Sequence, residues 1–276
     1  LLQKSMARAV AVASAGAVVT VTNREYVYAT RDEYRSIGAE ERNAFLLEPG
    51  ARNTAPAIAM AALFVQAQFG ADAVMLVLPA DHVVEPAAAF AAAVNAARSL
   101  AERGRIVVFG VKPDRAETGY GYIECGAVIG DDAFEVTRFV EKPPREQAEK
   151  YISAGGFLWN AGMFCFTAGT ILQSLALHAP QLLKAAEACW RATPPRAGDA
   201  MRTVSASITR MTPLLRNWLR SRRTVSMFAS TCLFFNPNSV RRQARNMSFA
   251  LKVVIGAARS FLTNDFAFLS GKQSVR

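Results

Sequence analysis

Alternation of short apolar runs with helical stretches is the feature that most constrains this chain. The runs fall at 17–22 (AVVTVT), 44–47 (AFLL), 73–78 (AVMLVL) and 106–109 (IVVF). Between the first two lies a polar, helix-like stretch, Glu25–Ile37. After the second, apolar residues recur at helical spacing at Ile58, Ala62, Val65 and Phe69, with Thr54 placed as an N-cap and Pro56 in the first turn. After the third, an alanine-rich stretch carries Phe90, Val94, Ala97 and Leu100 on one face and closes at Gly104. The run at 73–78 has no polar alternation, the signature of a strand buried on both faces in a parallel sheet. Strand and helix in strict alternation imply βαβ units and a doubly wound sheet.

Beyond Phe109 the pattern changes. Tyr120–Glu124 and Phe134–Val140 read as antiparallel strands around the turn Gly130-Asp131-Asp132. A short helix is expected from Arg145, a strand at Met163–Phe166, and one helical stretch from Thr170 to about Trp190. Leu1-Leu2-Gln3-Lys4 reads as the interior of something longer. Residues 193–198 (TPPRAG) make a turn-rich break, so 1–192 and 193–276 are expected to be separate units.

The net charge of +10 suggests an anionic partner at first sight. Its distribution says otherwise. Of the 32 basic residues 13 lie beyond Ala200, together with one of the 22 acidic residues, Asp265. The charge therefore belongs to the tail. With 51% hydrophobic residues the chain is too apolar for disorder. No apolar run reaches the roughly 18 residues needed to cross a bilayer, so a membrane protein is not expected. No signal peptide is visible, and Cys125, Cys165, Cys189 and Cys232 are widely spaced with only His82 and His178 beside them. That points to reduced thiols in a cytoplasmic protein rather than a zinc site.

Several residues carry candidate chemistry. Asp81 follows the most apolar strand, at the carboxyl end where open α/β sheets bind ligands. A carboxylate there suits Mg²⁺ or, equally, caps the following loop. Arg52, Asn53 and Thr54 stand at a helix start, where free N–H groups favour an anion. Gly121 lies between aromatics in Thr118-Gly119-Tyr120-Gly121-Tyr122, allowing a ligand close to the backbone or merely forming a turn. Glu141 and Lys142 pair an acceptor with a cation at a strand end, which also fits plain solvent exposure. Asn160 is a polar side chain in the apolar run 159–164 and must find partners.

The order of these segments resembles one family. EPGARNTAPA at 48–57, LPADH at 78–82, TGYGYI at 118–123, FVEKP at 139–143 and WNAGMF at 159–164 are similar to the motifs of mannose-1-phosphate guanylyltransferases, the GDP-mannose pyrophosphorylases, including the bacterial type fused to a mannose-6-phosphate isomerase domain. The resemblance implies a Rossmann-like, doubly wound mixed sheet of the nucleotide-diphospho-sugar transferase type. It implies transfer of GMP from GTP to mannose 1-phosphate, with Mg²⁺ as cofactor. On the matching residues, Asp81 would hold the metal and act catalytically with Lys142. Arg52, Asn53 and Thr54 would border the nucleotide. Gly121, Glu141, Lys142, Asn160 and Gly162 would bind the sugar phosphate.

The resemblance ends at both termini. Family members begin with a strand and a glycine-rich loop that cradles the triphosphate, and this sequence starts just after it. They continue with Ser-x-Asp-Tyr and Trp-Ser-Asp segments that bring a second metal aspartate, whereas 201–235 contains no acid. The expectation is an incomplete domain with weakened activity and an irregular basic C-terminal tail. The tail reads as a nucleic-acid-binding extension around Trp218, an amphipathic membrane-surface helix at 249–262, or out-of-frame sequence. Its lack of acids favours the last, so nucleic acid is not expected as a partner. Alternative functions are transfer to another hexose 1-phosphate, or a non-catalytic domain binding a sugar nucleotide or nucleic acid. Homo-oligomerisation stays open.

Overall fold

The computed structural model describes residues 1–13, 18–39, 43–48, 54–84, 86–130 and 133–193, together with the backbone of four short strands beyond them. Helix α1 (Leu2–Val12) precedes β1 (Val18–Asn23), α2 (Val27–Arg35) and β2 (Asn43–Glu48). Then come α3 (Thr54–Phe69), β3 (Val74–Pro79), β4 (Val83–Val84), α4 (Ala87–Ala101) and β5 (Val107–Val111). The second half contributes β6 (Tyr122–Gly130), β7 (Ala133–Val140), α5 (Arg145–Ala154), β8 (Phe157–Thr167), α6 (Ala168–His178) and α7 (Pro180–Arg191). The tail strands are β9 (Met201–Thr203), β10 (Thr231–Phe235), β11 (Val240–Arg241) and β12 (Lys252–Val253).

Among the described residues ten strands form one mixed sheet, in the order β5-β10-β7-β6-β8-β3-β12-β1-β2-β9. β1 and β2 are parallel over their full length, Val18↔Asn43 to Asn23↔Glu48. β3 is not a parallel strand, contrary to its sequence reading. It runs antiparallel to β8, Val74↔Thr167 through Val77↔Phe164. The long strand β8 is the hub of the sheet, also pairing antiparallel with β5 and β6. Its hub position explains why it extends from Phe157 rather than from Met163.

Two cores cover the two faces. On one, α3, α6 and α7 bury Ile58, Met60, Ile171, Leu175 and Leu182 against Val77, Phe164 and Phe166. On the other, α1, α2, α4 and α5 bury Met6, Tyr34, Phe90 and Tyr151 with Phe109 and Met163. α3 is buried nearly all round from Thr54 to Ala62, while Phe69, expected on its apolar face, is exposed. Small residues make this possible, because alanines let α6 and α7 approach the α3 backbone closely. The helix expected over 170–190 is two helices. The chain turns at Ala179, and Pro180 takes the first position of α7, where its missing N–H costs nothing. No helix among the described residues is long and apolar enough to cross a membrane.

Candidate active site

The expected site residues gather where β3, β6, β7 and β8 end or meet. β3 stops at Pro79, and the turn Ala80-Asp81-His82 carries the chain to β4. The Asp81 side chain is 67% exposed, and His82 Nε2 lies 3.8 Å from its Oδ1. The backbone on either side of Asp81 is held from α1. The Ser5 hydroxyl donates to the Ala80 carbonyl at 3.0 Å and lies 3.4 Å from that of Pro79. The Arg8 guanidinium donates through Nη2 to the His82 carbonyl at 2.8 Å.

The second group is built by strand pairing. Asn160 N–H donates to the Gly121 carbonyl at 2.8 Å, joining β8 to the residue before β6. A Cβ on Gly121 would stand 3.0 Å from Glu141 Oε2 and 3.5 Å from Asn160 Cβ. Glu141 follows β7, which the antiparallel pair Tyr122↔Val140 brings level with Gly121. Asn160 Oδ1 in turn accepts from the Gly162 N–H at 3.0 Å. Gly162 has φ +62°, and a Cβ there would lie 3.8 Å from Pro79 Cγ. Gly121, Glu141, Asn160 and Gly162 thus form one cluster, adjoining the strand end two residues before Asp81.

Lys142 follows Glu141, exposed, with φ 40°, the one non-glycine residue with positive φ among those described. Such a conformation costs on the order of 1–2 kcal/mol and persists where the surroundings over-determine it, often at binding sites. Thr54 stands apart. It is buried at the start of α3, and no hydrogen bond among the described residues joins it to Asp81 or Glu141. Arg52 and Asn53 lie outside the described residues.

Sequence reasoning missed α1 and hence Ser5 and Arg8. The signal was available, since Ser5, Met6 and Ala9 are buried at helical spacing. It also passed over a wall beside Asn160, where Tyr120 meets Trp159 edge to face at 5.0 Å and the Arg115 guanidinium lies 5.3 Å from the Trp159 ring centre. The Tyr122 hydroxyl ties down the loop before it, donating to the Glu117 carbonyl at 3.0 Å and accepting from its N–H at 3.1 Å.

Among the described residues no three His, Cys, Asp or Glu side chains gather as a metal cage. A single exposed carboxylate fits a different kind of cation, one that keeps waters and shares phosphate oxygens, as Mg²⁺ does. Glu141 beside Lys142 offers acceptors for hydroxyls next to a positive charge. Together the two groups suit a phosphorylated, hydroxyl-rich ligand lying across the strand ends.

Residues 1–202 match the nucleotidyl transferase family. Over 190 residues, 69% of this chain, the sequence is 44% identical to the xanthan biosynthesis protein XanB of Xanthomonas campestris pv. campestris (strain B100), covering 40% of that protein. It is 43% identical over 182 residues, 64% of this chain, to the mannose-1-phosphate guanylyltransferase of Escherichia coli (strain K12), covering 38% of it. The chain spans about 40% of the length of these curated relatives. A crystal structure described as mannose-6-phosphate isomerase from Helicobacter pylori superposes with a TM-score of 0.68 at 26% identity, covering 84% of this chain and 87% of that one.

Proposed function

The chain belongs to the nucleotidyl transferase family, and from that premise we propose that it serves the transfer of GMP from GTP to mannose 1-phosphate, giving GDP-mannose and pyrophosphate. The observation that carries this reading is the convergence of Gly121, Glu141 and Asn160 beside Lys142 and within one residue contact of the β3 end. The relative named as a mannose-1-phosphate guanylyltransferase supports the choice of sugar.

In this reading the Glu141 carboxylate accepts hydrogen bonds from mannose hydroxyls. Asn160 Oδ1 is taken by the Gly162 N–H, so the amide meets the sugar through its Nδ2 donor. Gly121 admits the ring against the backbone, and Gly162 keeps the opposite wall low. Lys142 neutralises the sugar phosphate. Arg52, Asn53 and Thr54 border the nucleotide at the start of α3, where helix N–H groups favour an anion. A divalent cation, Mg²⁺, held by Asp81 with phosphate oxygens and water, would supply charge neutralisation at the triphosphate. A phosphate oxygen of the sugar attacks the α-phosphorus, and the bond to pyrophosphate breaks. The protein contributes alignment and charge compensation, which suffice for such a displacement. In this reading residues 1–192 carry every site residue, while 193–276 contribute strands to the same sheet and no site residue. The chain's setting in this reading is the cytoplasm.

GMP transfer measured with GTP, Mg²⁺ and a panel of hexose 1-phosphates tests the proposal. Mannose 1-phosphate is expected to be preferred. E141Q is expected to raise its KM by roughly tenfold, the weakening of hydrogen bonds to a charged group, and N160A by about three- to tenfold, the loss of one neutral hydrogen bond. Equal use of glucose 1-phosphate would replace mannose by a broader hexose specificity. Absence of both turnover and sugar-phosphate binding would remove the function from this chain.

A further inference from the structure

We propose that Ser5 and Arg8 are positioning residues for Asp81, a clip on α1 that sets the backbone on both sides of the carboxylate and thereby its fitness to hold a cation. The inference rests on the metal-binding role of Asp81 proposed above.

Three observations carry it. Ser5 and Arg8 are three residues apart in α1, so they share one helix face, and that face lies on the β3–β4 turn. Their targets are the carbonyls of Ala80 and His82, the residues immediately flanking Asp81. Asp81 itself is 67% exposed, and among the described residues the ionisable group near its carboxylate is His82, so little side-chain packing directs it and its backbone sets its position. The clip is itself anchored. Met6 and Ala9, beside Ser5 and Arg8 in the chain, are buried, and the Arg8 guanidinium lies 5.7 Å from the ring centre of the buried Phe90 of α4. Burial drives the Arg8 pKa down from its ordinary value, a sign of partial desolvation, which strengthens its hydrogen bond to the His82 carbonyl. Arg8 Nη1 has no hydrogen-bond partner among the described residues, so a single N–H···O bond does the holding and a lysine can reproduce part of it.

Residues that orient a metal ligand without touching the metal typically change affinity by about 10–100-fold when removed. The test is Mn²⁺ binding to the full chain in the presence of GTP, followed by the paramagnetic resonance of free Mn²⁺, for wild type, D81N, S5A, R8A and R8K. Amide exchange over 80–84 and thermal unfolding are measured alongside. D81N is expected to lose the site. R8A should weaken it by about tenfold, S5A by less, and R8K should recover part of the loss. Exchange at 80–84 should speed up in R8A while β1 and β2 stay protected. If D81N loses Mn²⁺ but S5A binds it as wild type does and R8A binds it no more weakly than R8K, with exchange at 80–84 unchanged in S5A, the clip is overturned and Asp81 stands. If D81N binds Mn²⁺ like wild type, the Asp81 assignment falls and the clip with it. S5A is a mild change, so where thermal unfolding shows R8A to be unfolded, S5A alone decides.

Discussion

Gly121 and Gly162 border the same cluster but are glycine for different physical reasons, and substitution separates them. A methyl on Gly121 meets Glu141 Oε2 at 3.0 Å and the Val140 carbonyl at 3.8 Å, so the carboxylate must move. G121A is therefore expected to cut sugar-phosphate affinity by about tenfold with a small change in melting temperature, since one displaced hydrogen bond to a charged group is on that scale. Gly162 has room, with Pro79 Cγ at 3.8 Å, but its φ of +62° is hostile to a side chain. G162A should cost roughly 1–2 kcal/mol of stability, with a smaller effect on binding. Lys142 is the converse case, a charged side chain kept at φ 40°. K142G relieves that backbone while releasing more entropy in the unfolded chain, so stability should stay level or rise by up to about 1 kcal/mol. Its sugar-phosphate affinity should nonetheless fall. Calorimetry and sugar-phosphate titration on the three variants check all of this. A K142G variant that is both less stable and fully able to bind would show that the strained backbone serves the fold alone. The motif order in the sequence marked these residues as candidates, but not their conformations. Positive φ at Lys142 arises from how β7 delivers the chain beside Gly121, a tertiary constraint without a local signature.

At the level of elements, strands and helices between Val18 and Val111 were legible because apolar periodicity and turn residues agree there. Misreadings fell where tertiary packing overrides the local pattern. β3 has the composition of a parallel strand yet lies antiparallel to β8, because composition reports burial on both faces and not strand direction. The helix α3 reads as amphipathic along Ile58, Ala62, Val65 and Phe69, but alanines off that face are buried as well, Ala59 at 0% and Ala61 at 1% exposure. Spacing of large side chains cannot reveal that small ones face a neighbouring helix. This packing makes a sharp contrast testable. A62L adds three carbons between α3 and its neighbours and is expected to cost about 1–3 kcal/mol, the usual penalty of overpacking. F69S, on the same helix and the same heptad-like stripe but 52% exposed, should stay within about 0.5 kcal/mol of wild type. Urea unfolding of both variants measures it. Equal effects would mean that α3 is amphipathic after all. The break at Ala179-Pro180 was readable in principle, as a proline opening a helix, and α1 likewise by its spacing. Both were obscured because each adjoins a stretch that satisfies helical periodicity or reads as incomplete.

Across the whole molecule the sheet has two parts, β1–β2 on one side and β3 with β8, β5, β6 and β7 on the other, linked within the sheet by the two residues of β12. Each part holds a buried phenol or thiol whose protonated form burial favours, Tyr34 in one and Cys165 in the other, so the fold should fail as a unit at alkaline pH. Tyr34, on α2 over β1 and β2, has its hydroxyl 3.2 Å from Thr20 Oγ1, and Thr20 donates onward to Asn43 Oδ1. Burial pushes its pKa up to about 12, against the smaller opposing effect of the Thr20 hydrogen bond. Cys165, near the end of β8 and fully buried, is likewise pushed up to about 12 by burial. Both groups stay protonated in the folded chain while the unfolded chain begins to lose these protons near pH 9–10. Above that range the unfolded state binds fewer protons, so stability is complete below about pH 9 and falls as pH rises toward 12. The sizes of the shifts correspond to roughly 3 kcal/mol for Tyr34 and roughly 4 kcal/mol for Cys165 at the alkaline limit. Together these are a large part of the stability of an ordinary domain, about 5–15 kcal/mol. Unfolding is therefore expected before Tyr34 titrates in the native state, so its phenolate absorbance should appear together with the loss of helix signal. Y34F should cost about 1 kcal/mol at neutral pH through the lost hydrogen bond, yet lose stability less steeply above pH 10. Denaturation of wild type and Y34F at a series of pH values from neutral to alkaline decides the matter. If the two lose stability in parallel, the Tyr34 hydroxyl does not govern the alkaline limit, and the burial of α2 on the β1–β2 side is looser than this packing requires.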